Sequence, residues 1–358
     1  MAVYERIGCI HIHSRYSDGS AEPPEIIAHA QRAGLDYLLI TDHNAYRPQH
    51  EGWYGDTLCL VGAELHDPEN PHANHYLVFN AGADLLEYVG DTQALITQAA
   101  ARGGLGFIAH PDEHAAEMAN EPEINWLAWD ATGYTGIELW NYMSEFKSRV
   151  RSPLIALAYA LNPRLGMLGP FPETLARWDA LQATRRVVAL GGVDAHAGTY
   201  RLGPIRRVVF PYEQLFRSLT THVLLPANWS HVFASDAQMF YDALAAGRAF
   251  VAYDGLAPAR GFEFAAHHDN VEYTLGDEFV ARGRVRFSVQ APAKARIRLL
   301  LNGHSVHSVY GTRLEYVSRS PGVYRVEAYR RYAARWRAWV LTNGIRVHTR
   351  PQAQARDD

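Results

Sequence analysis

The chain has 358 residues, of which 48% are hydrophobic and 20% are charged, and its formal net charge is −4. This composition is typical of a globular protein and excludes a disordered or fibrous chain. Only two cysteines are present, which excludes a disulfide framework, and no apolar run is long enough to span a membrane. Since the first ten residues lack the pattern of a signal peptide, we expect a cytoplasmic protein without a membrane partner.

Charge is distributed unevenly along the chain. Residues 256–350 carry 15 Arg and one Lys against seven acidic residues, which gives +9. The tail after residue 350 carries −1, so residues 1–255 carry −12. An acidic first part and a basic second part predict that the two dock on each other, and nucleic acid is a possible but not a favoured partner of the basic part.

The first predicted element is a strand that ends in Cys9-Ile10-His11-Ile12-His13. Because side chains alternate between the two faces of a strand, His11 and His13 point the same way. The turn composition of the following Ser17-Asp18-Gly19 allows Asp18 to fold back beside the two imidazoles. Imidazole and carboxylate are ligands of zinc, manganese and iron, although an isolated His-X-His is often only a polar strand face.

Strands and helices then alternate along the chain. The spacing of apolar residues predicts a helix over 23–33, closed by Gly34, and a buried strand over 37–40 that leads into Asp42 and His43. Five later apolar segments are predicted strands with polar residues at one end: 58–62 before Glu64, 75–79 starting at His75, 105–109 before His110, 136–140 before Asn141, and 186–193 before Asp194 and His196. This pattern predicts a parallel (β/α) barrel with the polar residues on one rim.

A different pattern begins near residue 256. Apolar and polar residues alternate there over 261–265, 284–290, 295–301, 322–328 and 338–341, with Gly and Pro between these segments. Such a pattern predicts a small antiparallel β-sandwich. We therefore expect an α/β protein with a barrel domain over 1–255, a β-sandwich domain over 256–350 and a flexible tail over 351–358.

Nine donors at the strand ends form the predicted metal site: His11, His13, Asp18, His43, Glu64, His75, His110, Asp194 and His196. They occur in the motifs HIHSRYSDGS, TDHN, GAE, HYLVF, IAHP and DAH, in that order. This arrangement, over about residues 7–255, resembles the PHP (polymerase and histidinol phosphatase) superfamily of metal-dependent hydrolases. The resemblance implies a distorted seven-stranded (β/α) barrel that holds up to three metal ions. The basic part, from ALAAGRAFVAYDGLAPARGFEF to RAWVLTNGIRV, is similar to the appended β-domain of the carbaryl hydrolase-like CehA/McbA branch.

The charge of this donor set bears on the substrate. Six imidazoles and three carboxylates bring −3, so two divalent ions would leave +1 and three would leave +3. Only the trinuclear form strongly favours an anion such as phosphate. We expect two or three ions of Zn, Mn or Fe, with a metal-bound hydroxide as the nucleophile and with Glu64 and Asp18 or Asp194 as bridging ligands.

Three residues near the donors are candidates for substrate binding. Arg15 and Arg201 are predicted to contact a substrate oxyanion, although a surface or structural salt bridge explains each of them equally well. Asn141 is predicted to line the floor of the pocket.

Three others are candidates for catalysis. Asp42 precedes His43, and orientation of an imidazole is favoured for it over direct participation. His114 and His66 are predicted to assist protonation of a leaving group, with an ordinary polar loop histidine as the favoured alternative for both.

The sequence thus predicts a metal-dependent phosphoesterase that hydrolyses phosphomonoesters or phosphodiesters. The alternative is a carbamate or aryl carboxylic ester hydrolase that uses the same metal site. A non-catalytic metal-binding module is the third hypothesis, and the complete donor set argues against it. The expected partner is a small-molecule ester, and the sequence leaves the oligomeric state open.

Overall fold

The computed structural model describes residues 3–116, 121–202, 205–208 and 210–349, without the side chains of 160, 199–202 and 205–208. Within these ranges the chain forms the strands β1 (Tyr4–Ile12), β2 (Tyr37–Ile40), β3 (Gly52–Tyr54), β4 (Thr57–Leu65), β5 (Tyr76–Phe79), β6 (Leu105–Ile108), β7 (Gly136–Asn141), β8 (Val188–Ala195), β9 (Thr199–Leu202), β10 (Ile205–Val208), β11 (Leu219–Leu225), β12 (Ala249–Tyr253), β13 (Glu263–His268), β14 (Val271–Tyr273), β15 (Glu278–Ala281), β16 (Val285–Leu301), β17 (His304–Ser318), β18 (Gly322–Tyr332), β19 (Arg335–Thr342) and β20 (Ile345–Thr349). The helices are α1 (Pro23–Ala33), α2 (Thr92–Ala101), α3 (Tyr142–Arg149), α4 (Pro153–Leu161), α5 (Pro172–Thr184), α6 (Tyr212–Phe216) and α7 (Phe233–Ala245). The predicted tail over 351–358 lies outside the described residues.

Helix α1 has the bounds predicted from its sequence. Proline occupies its first position, where the missing N–H would have no partner inside the helix. Gly34 ends it with a φ of 78°, a left-handed conformation that glycine adopts without a steric penalty. Ile26, Ile27 and Ala30 form its buried face, so the helix packs its apolar stripe on the sheet.

Seven strands close into a barrel. Strand β1 pairs in parallel with β2 and with β8, and β2 pairs in parallel with β4. Strands β6 and β7, and β7 and β8, are parallel as well. Strand β5 joins the two halves of the ring between β4 and β6.

The predicted parallel barrel is wrong for one strand, because β5 is antiparallel to both β4 and β6. Only the short segment 66–75 connects β4 to β5, without a helix. A parallel return needs a crossover of about a dozen residues or more, so the chain comes back in the opposite direction. For this reason His75 lies just before the start of its strand, whereas the other strand-end donors lie at or just beyond the carboxyl ends of theirs, and all of them still reach the same rim.

The sheet continues from the barrel into the C-terminal region. The first half of β1 pairs with β11, β11 pairs with β12, and β12 pairs with β19, all antiparallel. These hydrogen bonds join strands on both sides of residue 255, and the domain boundary placed there stays a prediction.

The C-terminal strands are mostly antiparallel, with β15 and β20 as a parallel exception. The two segments predicted over 284–290 and 295–301 form one strand, β16, whose pairing with β17 is interrupted by an irregularity between Gln290 and Ala295. The strand β17 was not predicted, because its sequence is largely polar and its side chains are largely exposed. The sandwich arrangement of these strands stays a prediction.

Buried apolar side chains form separate clusters that include one around the barrel and one among the C-terminal strands. Among the described helices, none is both long and apolar enough to cross a membrane.

Candidate metal centre

The structure brings all nine predicted donors together at one rim of the barrel. Three of them have a left-handed backbone: φ is 67° at His11, 25° at His110 and 52° at Asp194. Residues other than glycine rarely adopt this conformation, and such strain is concentrated at functional sites. The fold therefore holds these three side chains in place against a backbone preference.

The carboxylate of Glu64 lies at the centre of the cluster, fully buried. Its two oxygens face five imidazoles: Oε1 lies 2.7 Å from His75 Nδ1 and 3.0 Å from His110 Nε2, and Oε2 lies 2.9 Å from His11 Nε2, 3.1 Å from His43 Nδ1 and 3.3 Å from His13 Nε2. Because the two oxygens serve different imidazoles, Glu64 is placed as a carboxylate that bridges two ions would be.

Asp194 is the second buried carboxylate of the cluster. Its Oδ1 lies 3.1 Å from His13 Nε2, 3.4 Å from His11 Nε2 and 3.6 Å from His196 Nδ1. Asp194 therefore shares His11 and His13 with Glu64, and the two histidines of the first motif lie between two carboxylates.

Asp18 closes the cluster on its solvent side, with 56% of its side chain exposed. Its Oδ1 lies 3.2 Å from His196 Nε2 and 3.7 Å from His13 Nδ1, and its Oδ2 lies 3.7 Å from His43 Nε2. The turn at 17–19 thus folds back toward the imidazoles as the sequence predicts.

The donor set fits divalent ions. His13 Nε2, His43 Nδ1 and His110 Nδ1 are buried, and none of them has a hydrogen-bond partner among the described residues. Buried polar atoms are nearly always satisfied, so nitrogens left in this state beside carboxylates indicate a missing cation. Donor atoms lie within 4.8 Å of one another in several groups, including His11/His13/Asp194, His11/Glu64/His110 and His13/Asp18/His43/His196.

Burial and the neighbouring charges set the ionisation of the cluster. Burial opposes the charge of Glu64, but His11, His43 and His75 outweigh it and hold the pKa of Glu64 well below its usual range. Burial lowers the pKa of His43 to about 4, which leaves a neutral ring of the kind that binds metal. The pKa of His196 is raised to about 9 in spite of its burial, because Asp194 and Asp18 favour its charged form.

A tenth residue, the buried Glu138, supports the cluster from behind and was not predicted. Its Oε1 accepts a hydrogen bond of 2.8 Å from His11 Nδ1, and its Oε2 accepts from the backbone N–H of His110 at 2.8 Å. This contact keeps the proton of His11 on Nδ1 and leaves Nε2 free to face Glu64 and Asp194. An acidic residue inside the apolar segment 136–140 was the available signal in the sequence.

Asn141, predicted to line the pocket, connects the carboxylates to a helix. Its amide donates to Glu138 at 2.9 Å and lies 3.5 Å from Asp194, and its Oδ1 accepts from Ser144 N–H as the N-cap of α3. Its buried contacts are those of a residue that positions ligands.

Asp42 holds the loop that follows β1. It accepts hydrogen bonds from the Ser14 N–H at 2.6 Å, the Ser14 hydroxyl at 2.7 Å and the Ser17 hydroxyl at 2.7 Å. Among the described residues, the carboxylate of Asp42 therefore bonds to the Asp18 loop and not to an imidazole.

Two of the other predicted site residues make contacts outside the cluster. Arg15 is exposed and donates a hydrogen bond to the Ser20 carbonyl. His114 Nε2 lies 2.7 Å from Glu173, and His114 does not line the cavity that opens beside the donors. The ring of His66 stacks on that of His75 with a centroid distance of 4.4 Å. The side chain of Arg201 lies outside the described part of the chain.

A cavity of about 410 Å³ opens beside the donors. One part of its wall is apolar: Pro122, Ile124, Met143, Phe210 and Leu215. Another part holds Lys147, one of only two lysines in the chain, whose Nζ lies 2.6 Å from the buried Glu113 and 3.2 Å from Glu121. Lys147 and Glu113 were not predicted as site residues.

Comparison with known proteins gives matches to solved structures alone. No family model matches the chain, and no curated protein matches it in sequence. A two-domain protein from Bacteroides vulgatus, described as containing a predicted PHP-like metal-dependent phosphoesterase, is 16% identical with a TM-score of 0.46, over 96% of this chain and 95% of that chain.

Two further solved structures match about half of the chain. A proposed metal-dependent phosphoesterase from Bifidobacterium adolescentis and an amidohydrolase from Chromobacterium violaceum are each 16% identical, over 52% of this chain and 87% of theirs, with TM-scores of 0.32 and 0.29. The PHP superfamily of the first description is the one that the sequence motifs indicate. The CehA/McbA branch is named by none of these structures.

Proposed function

We propose that this protein is a metal-dependent hydrolase of phosphate esters. The observation that carries the proposal is the single buried cluster in which Glu64 faces five imidazoles and three buried ring nitrogens lack a hydrogen-bond partner. Such a set of nitrogen and oxygen donors, without a thiolate, suits Zn, Mn or Fe.

Two or three ions would be held by the groups described above, with His11, His13 and Asp194 around one, Glu64 and His110 toward a second, and Asp18, His43 and His196 around a third. Bound ions would supply an activated water and a positive field for the charge that develops on the ester.

The residues of the chain itself prepare this chemistry. Glu138 fixes the tautomer of His11, Asn141 orients Glu138 and Asp194, and Asp42 keeps the Asp18 loop against the rim. Lys147 adds a cation to the cavity wall: burial opposes its charge, but Glu113 outweighs this and raises its pKa, so it stays protonated. Each of these contacts is in place before the substrate binds, which is what electrostatic preorganisation requires.

Charge favours an anionic ester only when three ions are bound. With Glu138 included, the four carboxylates of the cluster bring −4, so two divalent ions would leave no net charge and three would leave +2. Glu113 and Lys147 neutralise each other. The phosphoesterase proposal therefore goes together with a trinuclear centre.

The apolar part of the cavity wall favours a second candidate, the hydrolysis of a carbamate or aryl carboxylic ester. Its five apolar residues would accept the aryl group of such a substrate. This reaction needs less positive charge and would be compatible with two ions.

The test combines metal analysis with a substrate panel. We expect two to three equivalents of metal by mass spectrometry and turnover of a phosphomonoester or phosphodiester. His13→Ala should abolish turnover and reduce the metal content, whereas His304→Ala, on the exposed start of β17, should change neither. Metal-loaded protein that hydrolyses no phosphoester would refute the proposal, and faster hydrolysis of naphthyl N-methylcarbamate would favour the second candidate.

A further inference from the structure

Helix α4, with the sequence PLIALAYAL, exposes three leucines. Leu154, Leu157 and Leu161 are 80%, 57% and 75% exposed. Residues spaced three and four apart lie on one side of a helix, so these side chains form one apolar strip, called the leucine face below. Exposed leucines that occur singly are ordinary, but three on one short helix mark an interaction surface.

Basic residues surround the leucine face. No acidic residue occurs between Glu145 and Glu173, and the exposed Arg151 and Arg164 flank the helix at its two ends. Asn162, the residue after α4, donates to Tyr332 Oη at 2.6 Å, which places the tip of the β18–β19 hairpin beside the helix. Arg335, exposed at that tip, pairs with Tyr332 across the strands.

The combination of leucines and arginines indicates which kind of partner binds the leucine face. In a two-fold dimer the same patch would face itself, and its arginines would lie against one another. Nucleic acid would use the arginines but leave the leucines in water. An anionic bilayer uses both, since leucines enter the boundary of the acyl chains while arginines contact the lipid headgroups.

We propose that the leucine face seats this protein on membrane surfaces that contain anionic lipids. The expectation of no membrane partner rested on the lack of a signal peptide and of a membrane-spanning segment, and a nine-residue helix that lies on the membrane surface needs neither. The proposal does not depend on which ester the protein hydrolyses.

The leucine face also lies close to the cavity. Tyr159 of α4 packs on Phe146 with a centroid distance of 5.5 Å, and Phe146 packs on Phe210 of the cavity wall at 4.4 Å. Three aromatic side chains in succession thus connect α4 to the cavity wall, and a protein seated through α4 would hold its cavity near the membrane surface.

Vesicle sedimentation tests the proposal with the full chain. We expect the protein to sediment with vesicles made of equal parts phosphatidylcholine and phosphatidylglycerol, to bind phosphatidylcholine vesicles far less, and to be released by salt. Leu154→Gln/Leu157→Gln/Leu161→Gln should weaken binding by at least about ten-fold, because the apolar area that enters the bilayer is lost. Arg151→Gln/Arg164→Gln should weaken binding and reduce its salt dependence.

The matched control is Val271→Thr/Val280→Thr/Val317→Thr, which changes three valines of the C-terminal strands that are 48%, 53% and 51% exposed. This control should bind like the wild type. Binding of the triple glutamine variant at wild-type strength would overturn the proposal, as would a wild-type protein that stays in solution with anionic vesicles. A dimer that the glutamine variant dissociates, without vesicle binding, would assign the face to self-association and overturn it as well.

Discussion

Glu138 shows how much of the candidate centre depends on a residue outside the nine donors. Its carboxylate accepts from His11 Nδ1 on one oxygen, and from the His110 N–H and the Asn141 amide on the other. Only a group that accepts at both oxygens satisfies all three donors.

Glu138→Gln should therefore weaken metal binding by roughly 10–100-fold. The side-chain NH₂ that this change introduces must face either His11 Nδ1 or the other two donors, the His110 N–H and the Asn141 amide. Facing His11 would move the proton of the imidazole from Nδ1 to Nε2. Titration of the metal-free protein with Zn²⁺ or Mn²⁺ would measure the loss, and Glu123→Gln, at an exposed position, is the control. Unchanged affinity would show that Glu138 does not set the tautomer of His11.

His222 is a second buried histidine held by carboxylates, and it lies outside the metal centre. Its Nδ1 lies 2.6 Å from Glu5 and its Nε2 lies 3.0 Å from Asp254, which ties β11 to the residues on either side of it. Burial alone would lower its pKa, but Asp254 and Glu5 outweigh this and raise it.

The raised pKa of His222 predicts pH-dependent stability. A histidine whose pKa is higher in the folded state than in the unfolded state, where it is about 6.5, stabilises the fold fully at pH values below about 6.5. This stabilisation disappears as the pH rises through the folded-state pKa. The Tm of the wild type should exceed that of His222→Gln most at about pH 6, and the difference should shrink in alkaline buffer. A gap between wild type and His222→Gln that stays constant over this pH range would contradict the ion pair.

At the scale of elements, the loop between β1 and α1 carries one side of the metal centre. Three hydrogen bonds from Ser14 and Ser17 to Asp42 hold this loop, and Asp18 lies at its end beside His43 and His196. Asp42 thus accepts three of the hydrogen bonds that hold the loop, and Ser20 N–H adds a contact to the His196 carbonyl at the far end of the loop.

Asp42→Ala should release the loop and remove the ion nearest Asp18, while the ions around Glu64 stay bound. Metal analysis should then show about one equivalent less than the wild type, with turnover reduced about ten-fold or more. Ser17→Ala removes one of the three bonds and should have a smaller effect. Loss of all metal in Asp42→Ala would mean that the sites fill together and not separately.

At the scale of the whole molecule, a buried ion network joins the barrel helices to the C-terminal strands. Arg325 on β18 donates to both oxygens of Asp179 on α5 at 2.7 Å and to Glu327 at 2.8 Å. Its side chain is only 2% exposed, and it neutralises Asp179, whereas Glu327 also pairs with Arg298 at 3.1 Å.

Arg325→Met should destabilise the protein by about 3–5 kcal/mol, because it leaves the mostly buried Asp179 without a cation and Glu327 with Arg298 alone. Arg286→Met is the control, since its pair with Glu315 is exposed and should contribute only about 0–1 kcal/mol. Urea unfolding followed by tryptophan fluorescence would measure both. Equal stabilities of the two variants would show that the network does not join the two regions.

Much of this protein could be predicted from its local sequence. The nine donors, the strands that carry them and the bounds of α1 follow from periodicities of two and 3.6 residues and from helix-ending residues such as Gly34. The predicted strand ends were sufficient to identify the candidate metal site because strand ends of a barrel meet at a rim.

What the sequence by itself determined is therefore the set of donors and the elements that carry them. The tertiary structure alone decided that β5 runs antiparallel, that Glu138 and Asn141 support His11 and Asp194, and that Asp42 binds the loop and not an imidazole. It also placed His114 against Glu173, away from the cavity. The physical reason is that alternation and helix capping act between residues close in the chain, whereas strand direction and buried polar contacts depend on partners far away in the chain, such as Glu138, which lies 127 residues from His11.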